Sequence, residues 1–276
     1  MKTALLQLNV SDDPVANLPQ TVAMVAEAAS KGAEFILTPE VTNCISRDRA
    51  DQTAVLQHEA DDITLKKLRE EAVRHGIWLS IGSLALKTYD ADGRFANRSF
   101  LIDPAGQIAA RYDKIHMFDV TVSETETYRE SAGYRPGGTA VVADTPFAKI
   151  GMSVCYDIRF AYLYRALAQA GAEILLVPAA FSPVTGAAHW EPLLRARAIE
   201  TGSYVLAAAQ TGAHASASDK PRKTYGHSMA ISPWGEVLAD LGTEPGIALV
   251  DLDLREVAQS RKRIAALSHD RPFEGP

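Results

Sequence analysis

Two segments of the chain show the same change of hydrophobic period. Residues 17–31 and 160–170 carry apolar positions at helical spacing, each followed by a glycine suited to a left-handed cap and then by a short apolar run closed by proline. The runs read GAEFILTPE at 32–40 and GAEILLVPA at 171–179, sharing the Gly-Ala-Glu opening, a leucine and the proline. The likeness continues in order. LREEAVRHGIWLSI at 68–81 stands opposite LRARAIETGSYVLA at 194–207, both reading as helix, glycine and a strand containing an aromatic residue. LIDPAGQIAA at 101–110 stands opposite AISPWGEVLA at 230–239, both reading as hairpins with Pro and Gly at the turn.

The chain therefore predicts two copies of one β-α-β-α-β-β unit. Strands this apolar need helices covering their sheets. The simplest architecture is α/β: a four-layer α-β-β-α sandwich with an internal pseudo-two-fold repeat. No Ser/Gly-rich linker divides the copies, so residues 1–276 read as a single domain.

Composition narrows the function classes. A formal net charge of −6 speaks against phosphate-backbone binding, and the densest basic stretches, DKPRK at 219–223 and RKR at 261–263, do not reverse it. No run approaches the roughly 20 apolar residues of a membrane span, and the N-terminal apolar run is too short for a signal peptide. Cys44 and Cys155 are the only cysteines, so no disulfide framework is encoded and a reducing cytoplasm fits. The seven histidines lack paired spacing, which makes a structural zinc site a poor fit.

Chemistry in a duplicated fold is expected where the copies diverge at strand ends. The first copy ends its second strand LTPEV and the second ends LVPAA, so Glu40 stands where an alanine stands in the other half. KIGMSVCYDIRF at 149–160 is an apolar strand that stops at Cys155 and enters a polar turn. The first hairpin runs into RYDKIHMFD, carrying Lys114, whereas LGTEPG after the second has no lysine. Each residue has a bland reading: an edge ion pair for Glu40, a surface position for Lys114, a buried core thiol for Cys155. Together they form a nucleophilic set: Glu40 accepts the thiol proton, Lys114 favours the thiolate and stabilises an oxyanion, and Cys155 attacks carbon.

These segments, with GAAHWEPLLRARAIET and YGHSMAISPWGEVLA, resemble the carbon–nitrogen hydrolase (nitrilase) superfamily over nearly the whole chain. Within it the sequence looks like the Nit branch of amidases, the deaminated glutathione amidases especially. The resemblance implies the same sandwich, a Glu-Lys-Cys triad at Glu40, Lys114 and Cys155, and a second glutamate near the lysine, Glu130 in YRESAGYRPGG. It also implies a pocket bordered by the insertion DVTVSETETYRE, which departs from the branch in being acidic, and a homodimer or homotetramer. The expected reaction is hydrolysis of a small-molecule amide through a thioester, without metal or organic cofactor. Lys114 and the backbone N–H of Tyr156 are the expected oxyanion donors. The substrate expectation is deaminated glutathione, with 2-oxoglutaramate or an N-carbamoyl amide as alternatives.

Other residues carry two readings. Arg159 pairs a substrate carboxylate, or pins Asp157 or a neighbouring subunit; Lys220, Arg222 and Lys223 serve the same anions, or form a solvated loop. Phe181 and Thr185 are expected to border the pocket because they follow the strand that the repeat pairs with the one ending at Glu40. His189 and Trp190 start a helix over 189–201, where Arg195 or Arg197 pairs with Glu200. His116 and His227 are the only residues that admit a Cys-His hydrolase. Two readings outside amidase chemistry are a catalytically silent binding protein of this fold and a metal phosphohydrolase. The second would need Asp/Asn/His ligands where this chain has Glu, Lys and Cys.

Overall fold

Each copy of the repeat builds most of one six-stranded sheet. The computed structural model describes residues 1–46, 48–122, 126–217 and 222–275. In chain order the first half gives β1 (Lys2–Gln7), α1 (Pro14–Ser30), β2 (Phe35–Leu37), α2 (Arg49–Val55), α3 (Ile63–His75), β3 (Trp78–Leu86), β4 (Ala96–Ile102), β5 (Ile108–Asp113), the hairpin β6 (Asp119–Thr121) and β7 (Thr127–Arg129), and β8 (Val141–Asp144). The second half gives β9 (Lys149–Met152), α4 (Ala161–Gln169), β10 (Ile174–Leu176), α5 (Pro183–Thr201), β11 (Tyr204–Ala207), the hairpin β12 (Thr211–Ala213) and β13 (Lys223–Tyr225), β14 (Met229–Ile231), β15 (Val237–Asp240), β16 (Gly246–Asp251) and α6 (Arg255–Arg263).

The sheets have matching orders, β16-β1-β2-β3-β4-β5 and β8-β9-β10-β11-β14-β15. In both, the three strands after the edge strand are mutually parallel and the next two run antiparallel. The halves exchange strands. β8 ends the first copy but pairs antiparallel with β9, and β16 ends the second but pairs antiparallel with β1.

Side-chain alternation sorts the layers, since successive strand residues face opposite sides. Leu5, Phe35, Leu37 and Leu101 face inward and share a core with Ile150, Met152 and Leu176 of the second sheet. Their neighbours Ala4, Leu6, Ile36, Phe100 and Ile102 face outward onto Val25 and Ala28 of α1 and Leu68 and Ala72 of α3. Helix, sheet, sheet and helix thus follow from period-two patterning. The glycines predicted as left-handed after the first and fourth helices have positive φ, +86° at Gly32 and +99° at Gly171, and Gly76 and Gly202 end α3 and α5 in the same way at +64° and +59°. One boundary differs from expectation: α5 starts at Pro183 rather than 189, because proline's fixed φ suits the first helical position. His189 and Trp190 therefore lie inside the helix, and the fully buried Trp190 donates its indole N–H to the His227 carbonyl at 2.8 Å.

Candidate active site

The chain leaves β2, β5, β9 and β10 at one end of the two sheets, delivering Glu40, Lys114, Cys155 and Ala180 to a common cavity of about 390 Å³. Glu40 is 3% exposed and Lys114 2%. The Lys114 ammonium donates to Glu40 Oε1 at 2.9 Å and to Glu130 Oε1 and Oε2 at 2.9 and 2.8 Å. Asn97, on β4, donates to Glu40 Oε1 at 2.9 Å and to Glu130 Oε1 at 3.3 Å. The second Glu40 oxygen accepts the Ala180 N–H at 2.8 Å, so one carboxylate joins both sheets. Glu130 is fixed further by the Phe118 N–H, at 2.6 Å from Oε2.

Cys155 opens a single turn of 3₁₀ helix, Cys155–Arg159, with φ of +50°. A left-handed conformation costs a non-glycine residue on the order of 1–2 kcal/mol, so the surroundings must impose it. Its N–H is held by the Pro178 carbonyl at 2.9 Å. Asp157, fully buried, accepts from the Val154 N–H at 2.8 Å, the Tyr112 hydroxyl at 2.6 Å, and the N–H and Nδ1 of His116 at 3.0 and 2.7 Å. Arg197 holds the far side through the Ile158 carbonyl at 2.9 Å and pairs with Glu200 at 2.6 Å. The turn leaves the Tyr156 N–H without a backbone partner among the described residues.

Burial alone would raise the Glu40 carboxyl, but the adjoining Lys114 ammonium, the charge of Arg222 and hydrogen bonds from Lys114 and Cys155 hold it below its usual range. Burial would lower Lys114; the charges of Glu130 and Glu40 reverse this and keep it cationic. For Cys155, burial and the Glu40 charge outweigh Lys114 and push the thiol well above its usual value. The expected pull of Lys114 toward the thiolate is outweighed at rest. A carboxylate already occupies the neighbouring position, and two adjacent anions in a dry pocket are disfavoured. The resting pair is thiol and carboxylate, both buried in the same cavity.

Tyr156, Phe181 and Thr185 line the cavity as expected, and so does the β6–β7 hairpin through Thr127, Tyr128 and Arg129. Arg159 does not line it; its guanidinium lies over the Tyr156 and Phe181 rings, 5.8 and 5.5 Å from their centroids, and it does not pair with Asp157 among the described residues. Of the loop cations, Arg222 lines the cavity, Lys223 is exposed on β13, and Lys220 lies outside the described residues. His116 serves Asp157 and His227 pairs with Asp240 at 3.0 Å; neither faces the cavity. Cys44 does, but burial and nearby aspartates push its thiol up to about 12, which makes it a poor nucleophile. Among the described residues no cluster of three or more His, Cys, Asp or Glu could hold a metal ion. Asn97 escaped sequence reasoning, although the register of the two hairpins sets it opposite Gly226, another divergence between the halves.

Comparison with known proteins agrees with this geometry. The family model for carbon–nitrogen hydrolases matches residues 2–262. The deaminated glutathione amidase of Yersinia enterocolitica is 39% identical over 269 residues, covering 97% of this chain and 92% of that protein. The crystal structure of the C. elegans NitFhit protein superposes with a TM-score of 0.89 at 36% identity, covering 98% of this chain but only 65% of the larger one. A mutant of the amidase from Nesterenkonia sp. AN1, showing the result of Michael addition of acrylamide at the active-site cysteine, superposes with a TM-score of 0.77 at 28% identity, covering 96% of this chain and 98% of that one. With its sandwich of paired sheets and its motifs in order from end to end, the chain belongs to the carbon–nitrogen hydrolase family.

Proposed function

We propose that this hydrolase is a cysteine-dependent amidase acting on deaminated glutathione, releasing 2-oxoglutarate and cysteinylglycine through a thioester on Cys155. One observation carries the reading: the buried Glu40 carboxylate, hydrogen-bonded to the Lys114 ammonium, lines one cavity with the Cys155 thiol, with room for a small amide. The substrate rests on the similarity to deaminated glutathione amidases.

Glu40 takes the thiol proton as the sulfur attacks the amide carbon, so the pair never carries two negative charges. Negative charge develops on the carbonyl oxygen, where the Lys114 ammonium and the Tyr156 N–H are the available donors; one such donor is typically worth about 3 kcal/mol of barrier. Protonated Glu40 then gives its proton to the leaving nitrogen as the C–N bond breaks. Water attacks the thioester, Glu40 removes its proton, and the thiol is regenerated as the acid leaves. Glu130, with both oxygens on Lys114 and one also on the Phe118 N–H, orients the lysine. It is poorly disposed to act as the base.

Parallel kcat/KM values decide the substrate. A preference for deaminated glutathione over 2-oxoglutaramate is expected. A tenfold preference for the primary amide, about 1.4 kcal/mol, overturns the choice of substrate. Activity only on a neutral amide or an N-carbamoyl compound overturns the branch.

The protein is further proposed to work as a homodimer or homotetramer in a reducing, cytoplasmic compartment. Exposed Ile199, Trp234 and Ile264 around a hollow between α5 and α6 support the first, and two free thiols the second. Light scattering that returns the monomer mass of 29.8 kDa contradicts the assembly.

A further inference from the structure

We propose that Arg222 recognises the carboxylate of the substrate's acyl half and so selects anionic over neutral amides. This deepens the amidase reading above and rests on it.

The placement of Arg222 is fixed from several sides. Its carbonyl accepts the His214 N–H at 2.9 Å, and three residues on the Tyr225 N–H donates to the Phe181 carbonyl at 3.0 Å. The hairpin is tight against α5: a Cβ on Gly186 would lie 2.3 Å from the Tyr225 ring. Arg222 Nη2 donates to the Ala180 carbonyl at 2.7 Å, and the N–H of that same Ala180 sits on Glu40 Oε2. The guanidinium is therefore one residue away from the group that serves the nucleophile. Of the cavity arginines, it is the one whose charge helps hold Glu40 ionised.

That cation has no carboxylate partner among the described residues, and the cavity's two carboxylates are both taken by Lys114. A guanidinium offers five donors, of which one bond, to a neutral carbonyl, is present. The adjoining wall adds to the demand for an acceptor. Thr185 Oγ1 is buried without a partner among the described residues, and Ser182, at the N-cap position of α5, does not cap the helix but bonds Glu126 Oε1 at 3.1 Å. A partly buried cation without a charged partner, in a cavity that also holds an unsatisfied hydroxyl, is costly until an anion arrives. In a 2-oxo dicarboxylic monoamide, a keto carbon and two methylenes separate the carboxylate from the scissile carbonyl. With that carbonyl at Cys155, we place the carboxylate against Arg222, which lines the same cavity. A guanidinium and a carboxylate meet in a bidentate geometry that lysine cannot reproduce.

The test uses the full-length protein, the variants Arg222→Gln and Arg222→Lys, and three amides: deaminated glutathione, glutaramate and pentanamide, the last matching glutaramate in length with a methyl in place of the carboxylate. Arg222→Gln is expected to raise KM for both anionic amides on the order of 100-fold, with a much smaller change in kcat. The preference for glutaramate over pentanamide should collapse, with partial recovery in Arg222→Lys. Independently of turnover, calorimetry should show 2-oxoglutarate binding to Cys155→Ala and not to Cys155→Ala combined with Arg222→Gln. Equal losses on glutaramate and pentanamide, or undiminished 2-oxoglutarate binding by the double variant, overturn the proposal, because Arg222 would then only hold the Ala180 carbonyl. An Arg222-dependent glutaramate preference in an enzyme inactive on deaminated glutathione upholds the proposal and sinks the substrate reading instead.

Discussion

Protonation divides the labour between Glu40 and Cys155. With the carboxyl held below its usual 4.5 and the thiol above its usual 9.0, the enzyme rests in its reactive form over the whole neutral range. The logarithm of kcat/KM is therefore expected to be level through neutral pH and to fall only as acid protonates Glu40, below the ordinary carboxylate value. A limb centred near the usual thiol value of 9.0 would mean instead that a thiolate must form first. The three central residues were legible in the sequence because each breaks the repeat: glutamate against alanine, lysine against none, a cysteine at a strand end. What local sequence could not convey was their mutual charge. That Lys114 serves two carboxylates follows only from the folded distances, and that burial and the Glu40 charge outweigh Lys114 at the thiol follows only from the packed site. Arg222 was legible merely as one of three cations on a polar loop, since no pattern in the loop says which of them turns inward.

At the scale of elements, close approach and buried polarity are what hold the site together. Gly82 on β3 lies where the halves meet: a Cβ there would stand 2.1 Å from the Thr38 carbonyl, 2.5 Å from the Pro39 carbonyl and 2.5 Å from Pro178 Cβ. Gly82→Ala must displace the loops that carry Glu40 and Ala180. A stability loss of about 1–3 kcal/mol with a drop in kcat of tenfold or more is expected, checked by chemical unfolding and steady-state kinetics. The β12–β13 hairpin is secured by His214, whose Nδ1 donates to the Val10 carbonyl at 2.7 Å while Nε2 meets Thr224 Oγ1 at 2.7 Å. Burial lowers this imidazole from 6.5 to about 4. The unfolded chain binds the proton more tightly, so the contribution is complete above about pH 6.5 and is lost as pH falls towards 4, up to about 3 kcal/mol in all. Unfolding midpoints at pH 7.5 and pH 5 should differ more for the wild type than for His214→Gln; equal differences would contradict this. Strands and caps were readable from period-two runs and glycines, but the start of α5 was not, because the polar, glycine-containing opening PVTGAAH hides its helical register.

For the whole molecule, the strand exchange matters most. Each sheet is completed by the final strand of the other copy, so neither half can close its own sheet. Unfolding is expected as one cooperative transition, with fluorescence and circular dichroism coincident; two separated transitions would mean that the halves fold as independent units. The repeat was legible and predicted the four layers, whereas the exchange was not, because β8 and β16 lie beyond the segments in which the copies resemble each other. The exchange holds the two sheets in one register, which a site split between them requires: Glu40 and Lys114 come from one sheet, Cys155 and Ala180 from the other. In this mechanism the substrate's acyl group is carried on Cys155 between C–N cleavage and hydrolysis. Rapid acid quench of the enzyme with deaminated glutathione, followed by intact-mass and peptide analysis, looks for that species. A transient adduct equal in mass to 2-oxoglutaric acid less one water is expected on the Cys155 peptide and not in Cys155→Ala, which retains its fold and loses turnover. Sustained turnover by Cys155→Ala, or turnover by the wild type with no adduct on that peptide at any quench time, would contradict the mechanism.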